Sequence, residues 1–124
     1  MLLFGNIPTS SLENMGHMFQ YCRKLPSIDL STFDFTKVKN MDEAFLDCNL
    51  LDNVTFGNSK TSSLEQMVRL FQGCKKLETV DLSNFETSKV KDISGMFKDC
   101  ENLESINLSN FDTSIVTNME SMFN

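Results

Sequence analysis

The stretch Phe97–Phe123, FKDCENLESINLSNFDTSIVTNMESMF, opens and closes on the same residue type and spans one full period of the chain. A shift of 26 residues aligns Phe19, Phe45, Phe71, Phe97 and Phe123 in one column and Cys22, Cys48, Cys74 and Cys100 in another. Three residues beyond each cysteine stands Leu25, Leu51, Leu77 or Leu103. Next come Ile28, Val54, Val80 or Ile106, and then Leu30, Phe56, Leu82 or Leu108. No insertion or deletion breaks the register across the 124 residues. Repetition at this period is the mark of a solenoid, in which each unit buries its apolar face only by stacking on its neighbours.

Within each unit the pattern L-x-x-[IV]-x-[LF] alternates inward and outward. This predicts short strands near Ser27–Leu30, Asn53–Phe56, Thr79–Leu82 and Ser105–Leu108, with a further one at Leu2–Phe4. Strands one coil apart stack as a parallel sheet. The remainder of each unit has apolar residues three and four apart: Leu12, Met15, Phe19 and Cys22; Val38, Met41, Phe45 and Cys48; Leu64, Met67, Phe71 and Cys74; Val90, Ile93, Phe97 and Cys100. That spacing predicts one face of a helix. Ser10-x-x-Glu13 and Ser62-x-x-Glu65 read as capping boxes, and Thr36, Ser88 and Ser114 as N-caps. Because helices pack more widely than strands, the stack is expected to curve. The expected fold is therefore α/β, a leucine-rich-repeat solenoid or horseshoe segment with a parallel sheet on the concave side and short helices on the convex side. It forms a single domain over 1–124 of nearly five coils, at about 1–18, 19–44, 45–70, 71–96 and 97–124. The chain starts within a strand pattern and ends within a helix pattern. It is expected to be a fragment of a longer array, with end-to-end self-association through uncapped termini.

A second period of 52 overlies the first, since FGNIPTSSLENM (4–15) resembles FGNSKTSSLEQM (56–67). Coils with Leu30, Leu82 or Leu108 carry Phe33, Phe85 or Phe111 three residues later, whereas Phe4 and Phe56 are followed by Ile7 and Ser59. A large residue at one core position accompanies a smaller one at the next, which predicts volume compensation in the packed column.

Met96, Phe97, Cys100, Leu103, Leu108, Ser109, Phe111, Asp112, Thr113, Ser114, Val116, Thr117 and Met119 carry a resemblance to the BspA-like leucine-rich-repeat surface proteins. The likeness extends over the whole chain. Thr55-Phe56-Gly57 departs from the D-L-S element kept at Asp29-Leu30-Ser31 and Asp81-Leu82-Ser83, so the coil around Val54 is the least typical. The resemblance implies a non-enzymatic bacterial cell-surface or extracellular protein that binds a protein partner on host cells or matrix. It implies no catalytic residue.

The residues themselves offer few chemical sites. Four cysteines at equivalent positions point the same way, so they are expected as a structural ladder of buried free thiols beside the phenylalanines, not as disulfides. With no C-x-x-C and one histidine, His17, zinc spacing is absent, and neither metal nor cofactor is expected. His17 reads as an exposed helix residue. The recurring methionines read as core filler. The candidate ligand face is the row of outward strand residues: Ser27, Asn53, Thr79 and Ser105, then Asp29, Thr55, Asp81 and Asn107, then Ser31, Ser83 and Ser109. None is aromatic, and the Trp, Tyr and Arg that anchor most interfaces are missing from it.

The net charge of −6 and pI near 4.6 argue against nucleic acid as a partner, which needs a basic stripe. No apolar run is long enough for a membrane span. The opening MLLFGN is too short for a signal peptide, so an export signal or anchor is expected elsewhere in the parent protein. Three functions follow: an adhesion module, a passive stalk displaying another domain, or an intracellular leucine-rich-repeat scaffold.

Overall fold

The structure, a computed structural model, describes residues 2–124. Five short strands recur once per coil: β1 (Leu2–Leu3), β2 (Ser27–Asp29), β3 (Asn53–Thr55), β4 (Thr79–Asp81) and β5 (Ser105–Asn107). All pairing is parallel and in the register of the repeat, with Ile28 opposite Val54 and Val80 opposite Ile106. The central residue of each three-residue strand points into the core. Ile28, Val54 and Val80 are buried, and Ile106 in the last coil is half-buried.

The convex helices, and with them the α/β assignment, are corrected: the described residues contain no helix. The N–H groups of Met15, His17, Phe19 and Tyr21 donate to the carbonyls of Asn40, Asp42, Ala44 and Leu46 in the next coil, at 2.8–2.9 Å. Met41, Glu43, Phe45 and Asp47 do the same to Gln66, Val68, Leu70 and Gln72. The interleaved N–H groups of Met18, Gln20 and Cys22 fold back three residues onto Met15, His17 and Phe19. Every N–H from Met41 to Asp47 that a helix would spend four residues back, on its own chain segment, goes to a turn or to the neighbouring coil. The third residue of the turns, His17 or Tyr21 in the first coil and Glu43 or Asp47 in the second, has φ of 55–62°, as a type II turn requires. Apolar spacing of three and four residues is common to a helix and to such consecutive turns, because both return a side chain to one side at that interval. The residues assigned as caps sit in turns as well, with Val38 N–H bonded to the Phe35 carbonyl and Val90 N–H to that of Thr87.

This changes the expected shape. The wedge between wide helices and narrow strands is absent, since hydrogen-bonded ladders run on both sides and repeat at the same spacing, about 4.8 Å. We call these the strand side and the turn side.

Between them lies a core of stacked columns. Phe19, Phe45, Phe71, Phe97 and Phe123 form one file, with centroids 5.2–5.8 Å apart and planes within 13°, the offset stacking that ring quadrupoles favour. Phe56 meets four rings, those of Phe35, Phe45, Phe71 and Phe85, at steep angles. Phe35 refines the expected volume compensation. The equivalent residues Thr9, Thr61 and Thr87 accept the N–H of Asp34, Glu86 and Asp112 in the next coil. The Phe35 side chain has no oxygen to offer, and the Phe35 N–H is taken by Ser59 Oγ at 2.7 Å. Ser59 is thus small beside two large rings, Phe35 and Phe56, and is also a hydrogen-bond acceptor.

The strand pairing is not continuous. β1, β2 and β3 form one sheet and β4 and β5 another.

Candidate binding face

The outward strand residues lie at the surface: Asn53, Thr55, Thr79, Asp81, Ser105 and Asn107 are exposed, and Ser27 and Asp29 half-buried. Ser31 and Ser109 are exposed and Ser83 is half-buried, one step beyond the strands. The middle row is committed to local structure. Asp29 Oδ1 accepts the Ser31 N–H, Asp81 Oδ1 that of Ser83 and Asn107 Oδ1 that of Ser109, at 2.9–3.0 Å. These Asx turns end β2, β4 and β5. The hydroxyl and N–H of the following serine hold the carboxyls of Asp29 and Asp81 below their ordinary value. What remains free to meet a partner is Ser27, Asn53, Thr55, Thr79 and Ser105, none of which makes a side-chain hydrogen bond within the described residues.

On the turn side, charge is organised around Glu43. Its carboxylate is 3.2 Å from His17 Nδ1 and 3.0 Å from Arg69 Nη1, with Gln20 Nε2 donating at 3.1 Å. These three coils are thereby laced along one row. His17 is exposed. Farther along, a shallow groove of about 420 Å³ runs over Gly95 between Arg69, Gln72 and Lys98.

One family model matches the chain twice, over residues 4–67 and 49–124, and is described as Mycoplasma protein of unknown function, DUF285. The chain belongs to this family. No curated protein matches it, and neither does any solved structure. Membership in DUF285 is consistent with BspA-like repeats and names no activity.

In this DUF285 chain all four cysteines are free thiols, Cys48 and Cys74 buried and Cys22 and Cys100 half-buried. The Sγ atoms of Cys48, Cys74 and Cys100 each donate to the carbonyl of the phenylalanine one coil back, Phe19, Phe45 and Phe71, at 3.1–3.2 Å. Burial pushes the Cys48 and Cys100 thiols up to about 12 and Cys74 higher still, which opposes the thiolate that nucleophilic or metal chemistry needs. Among the described residues no group of three or more His, Cys, Asp or Glu is placed to hold a metal. No helix among the described residues is long and apolar enough to cross a membrane. Met15, Met41, Met67, Met96 and Met122 are buried as core filler, but Met18 and Met119 are exposed, contrary to the expectation for the whole set.

Sequence reasoning missed the left-handed positions. The residue before each cysteine, Tyr21, Asp47, Gly73 or Asp99, has φ of 56–77°. Asp and Gly recurring there are the residue types that tolerate this conformation, and they were the available signal for turns. At Gly73 the conformation is joined by crowding, since a Cβ would overlap the Asp47 carboxylate.

Proposed function

We propose that this DUF285 chain is a non-enzymatic binding segment of a cell-surface or extracellular repeat protein, which meets a protein partner on host cells or matrix through its strand side. The observation that carries this reading is the division of labour among its polar groups. Thiols and most strand-side aspartates are tied to the backbone, whereas the outer row of Ser27, Asn53, Thr79 and Ser105 repeats along the surface with no internal task. The test is binding of the folded chain to immobilised matrix proteins, compared with Asn53→Lys and Thr79→Lys together. Saturable binding that the double variant loses, at an unchanged unfolding midpoint, is expected.

A stalk is the second reading, favoured by the absence of any aromatic residue on that row. Absence of binding to any matrix protein would support it over adhesion. End-to-end association is a separate proposal. Ile7, in the inward column of Phe33 and Phe85, is 52% exposed and Phe123 62%, and sedimentation over a concentration series is expected to show weak self-association.

A further inference from the structure

We infer that the joint between the coil begun by β3 (53–78) and the coil begun by β4 (79–104) is a hinge, opening on the strand side about an axis on the turn side. Every other joint is bonded along three lines. On the strand side Asp52 N–H reaches Pro26 O, Leu30 N–H reaches Thr55 O, and the strands β2 and β3 pair between them. Glu104, Leu82 and the β4–β5 pair repeat this two joints later. Along the second line Met41 N–H meets Gln66 O and Glu65 N–H meets Lys39 O, with Ile93 and Thr117 as counterparts. At the β3–β4 joint both lines are missing. β3 and β4 do not pair, and the N–H groups of Phe56, Glu78, Met67 and Lys91 make none of the equivalent bonds. The third line survives: Arg69, Phe71 and Gly73 donate to Ser94, Met96 and Lys98 at 2.8–3.0 Å.

The cause is written in the β3 coil at two places. Asn14, Asn40, Asp92 and Asn118 each accept, through Oδ1, the N–H two residues on. Gln66, one methylene longer, cannot close that turn, and Val68 N–H turns back to Asp42 Oδ1 in the preceding coil, 2.7 Å away. Likewise Thr55 replaces the Asp or Asn that closes the turn after β2, β4 and β5. Gly57, at φ +71°, lies so close to the Ser31 backbone that a Cβ would be 2.7 Å from its carbonyl oxygen. Both departures draw the β3 coil towards β2 and away from β4. A groove of about 310 Å³ already follows the gap, lined by Asn53, Thr55, Thr79, Asp81 and Asn84. Midway across, Thr61 Oγ1 latches the joint by accepting the Glu86 N–H at 2.9 Å.

The latch gives the test, because a static gap would leave it undisturbed. Glu86 N–H is bonded to Thr61 Oγ1 as Asp112 N–H is to Thr87 Oγ1, at 2.9 and 2.8 Å. Native-state hydrogen exchange on the whole chain should show Glu86 exchanging about tenfold faster than Asp112 through a sub-global opening, with Arg69, Phe71 and Gly73 still protected. Glu86 protected as well as Asp112 would overturn the hinge. Thr55→Asp with Gln66→Asn, which returns both turn-closing side chains, should slow Glu86 to the rate of Asp112. A Glu86 rate unmoved by that pair would overturn the cause assigned here.

Discussion

The joints on either side of β3 connect coils of one period and one apolar pattern, yet one carries backbone bonds on both sides of the stack, whereas the other keeps them on the turn side alone and is crossed elsewhere by side-chain bonds, from Glu86 N–H to Thr61 Oγ1 and from Asn84 Nδ2 to the Gly57 carbonyl. On the β2 side, the β3 coil shares strand pairing, the Gln66 carbonyl and the Asp42–Val68 bond. On the β4 side it keeps the turn ladder, the Thr61 latch and ring contacts. The difference teaches that apolar columns set the repeat while polar side chains decide how firmly each repeat is fastened. Burial is non-directional and tolerates a small gap. An Asx turn is not tolerant of an added methylene.

The largest expected effect comes from removing what both joints share. Phe71 stacks on Phe45 at 5.2 Å and on Phe97 at 5.6 Å, so it spans the weak joint. Phe71→Ala should cost about 3–5 kcal/mol. Urea unfolding followed by circular dichroism should show a larger loss than for Phe19→Ala, and an equal loss would mean the strand-side gap does not matter.

Next comes the tight joint itself. Gly57→Ala should lose about 1–3 kcal/mol from left-handed strain, with its Cβ driven against the Ser31 carbonyl. Gly5→Ala is the control: φ is +59° but nothing lies within 4 Å, so its thermal midpoint should fall less. If both fall equally, the close approach to Ser31 contributes nothing.

Asn40→Gln copies the Gln66 side chain into the tight joint. It should remove the bond from Asp42 N–H, now 2.7 Å, at a cost of about 1 kcal/mol, and speed exchange of the Met41 amide. Unchanged exchange there would contradict the role given to the side-chain length.

The smallest effect is in acid. Asp29, Asp34, Asp81 and Asp112 have carboxyls held below the ordinary 3.8 by the hydroxyl and N–H two residues on. At Asp92 burial pulls upward but is outweighed by Ser94 and Asn118. Groups with lowered folded values contribute stability above pH 3.8 that is lost as pH falls further. Asp42 has the opposite sign, raised chiefly by burial, with Val68 N–H opposing. Its contribution is present below 3.8 and is lost as pH rises through its higher folded value. Thermal midpoints should therefore fall modestly below about pH 4, and Asp42→Asn should raise the midpoint at pH 7 more than at pH 3. A midpoint gain independent of pH would assign that effect to something other than the Asp42 charge.

Much of the fold was legible because the period was unbroken. Ile28, Val54 and Val80 alternate with polar neighbours, and the strands fall where that alternation places them. The inward set Val38, Met41, Phe45 and Cys48 was legible too, but not its backbone, since a three-four spacing serves turns as well as helices. The candidate face could be located from alternation. That Asp29 and Asp81 close turns while Asn53 and Thr79 stand free depended on the direction of each side chain. Thr55-Phe56-Gly57 stood out as atypical in sequence. Gln66 did not, because Gln and Asn share one chemistry and differ only in reach.

By itself the sequence determined the 26-residue coil, the parallel register and the composition of the core columns, because like residues at a fixed interval have like neighbours. Only the tertiary structure decided between helix and turn, and which joint is loose. Both outcomes depend on where each backbone N–H finds its acceptor. For alternate residues that acceptor lies in another coil, about 25 residues away, beyond the reach of any local pattern.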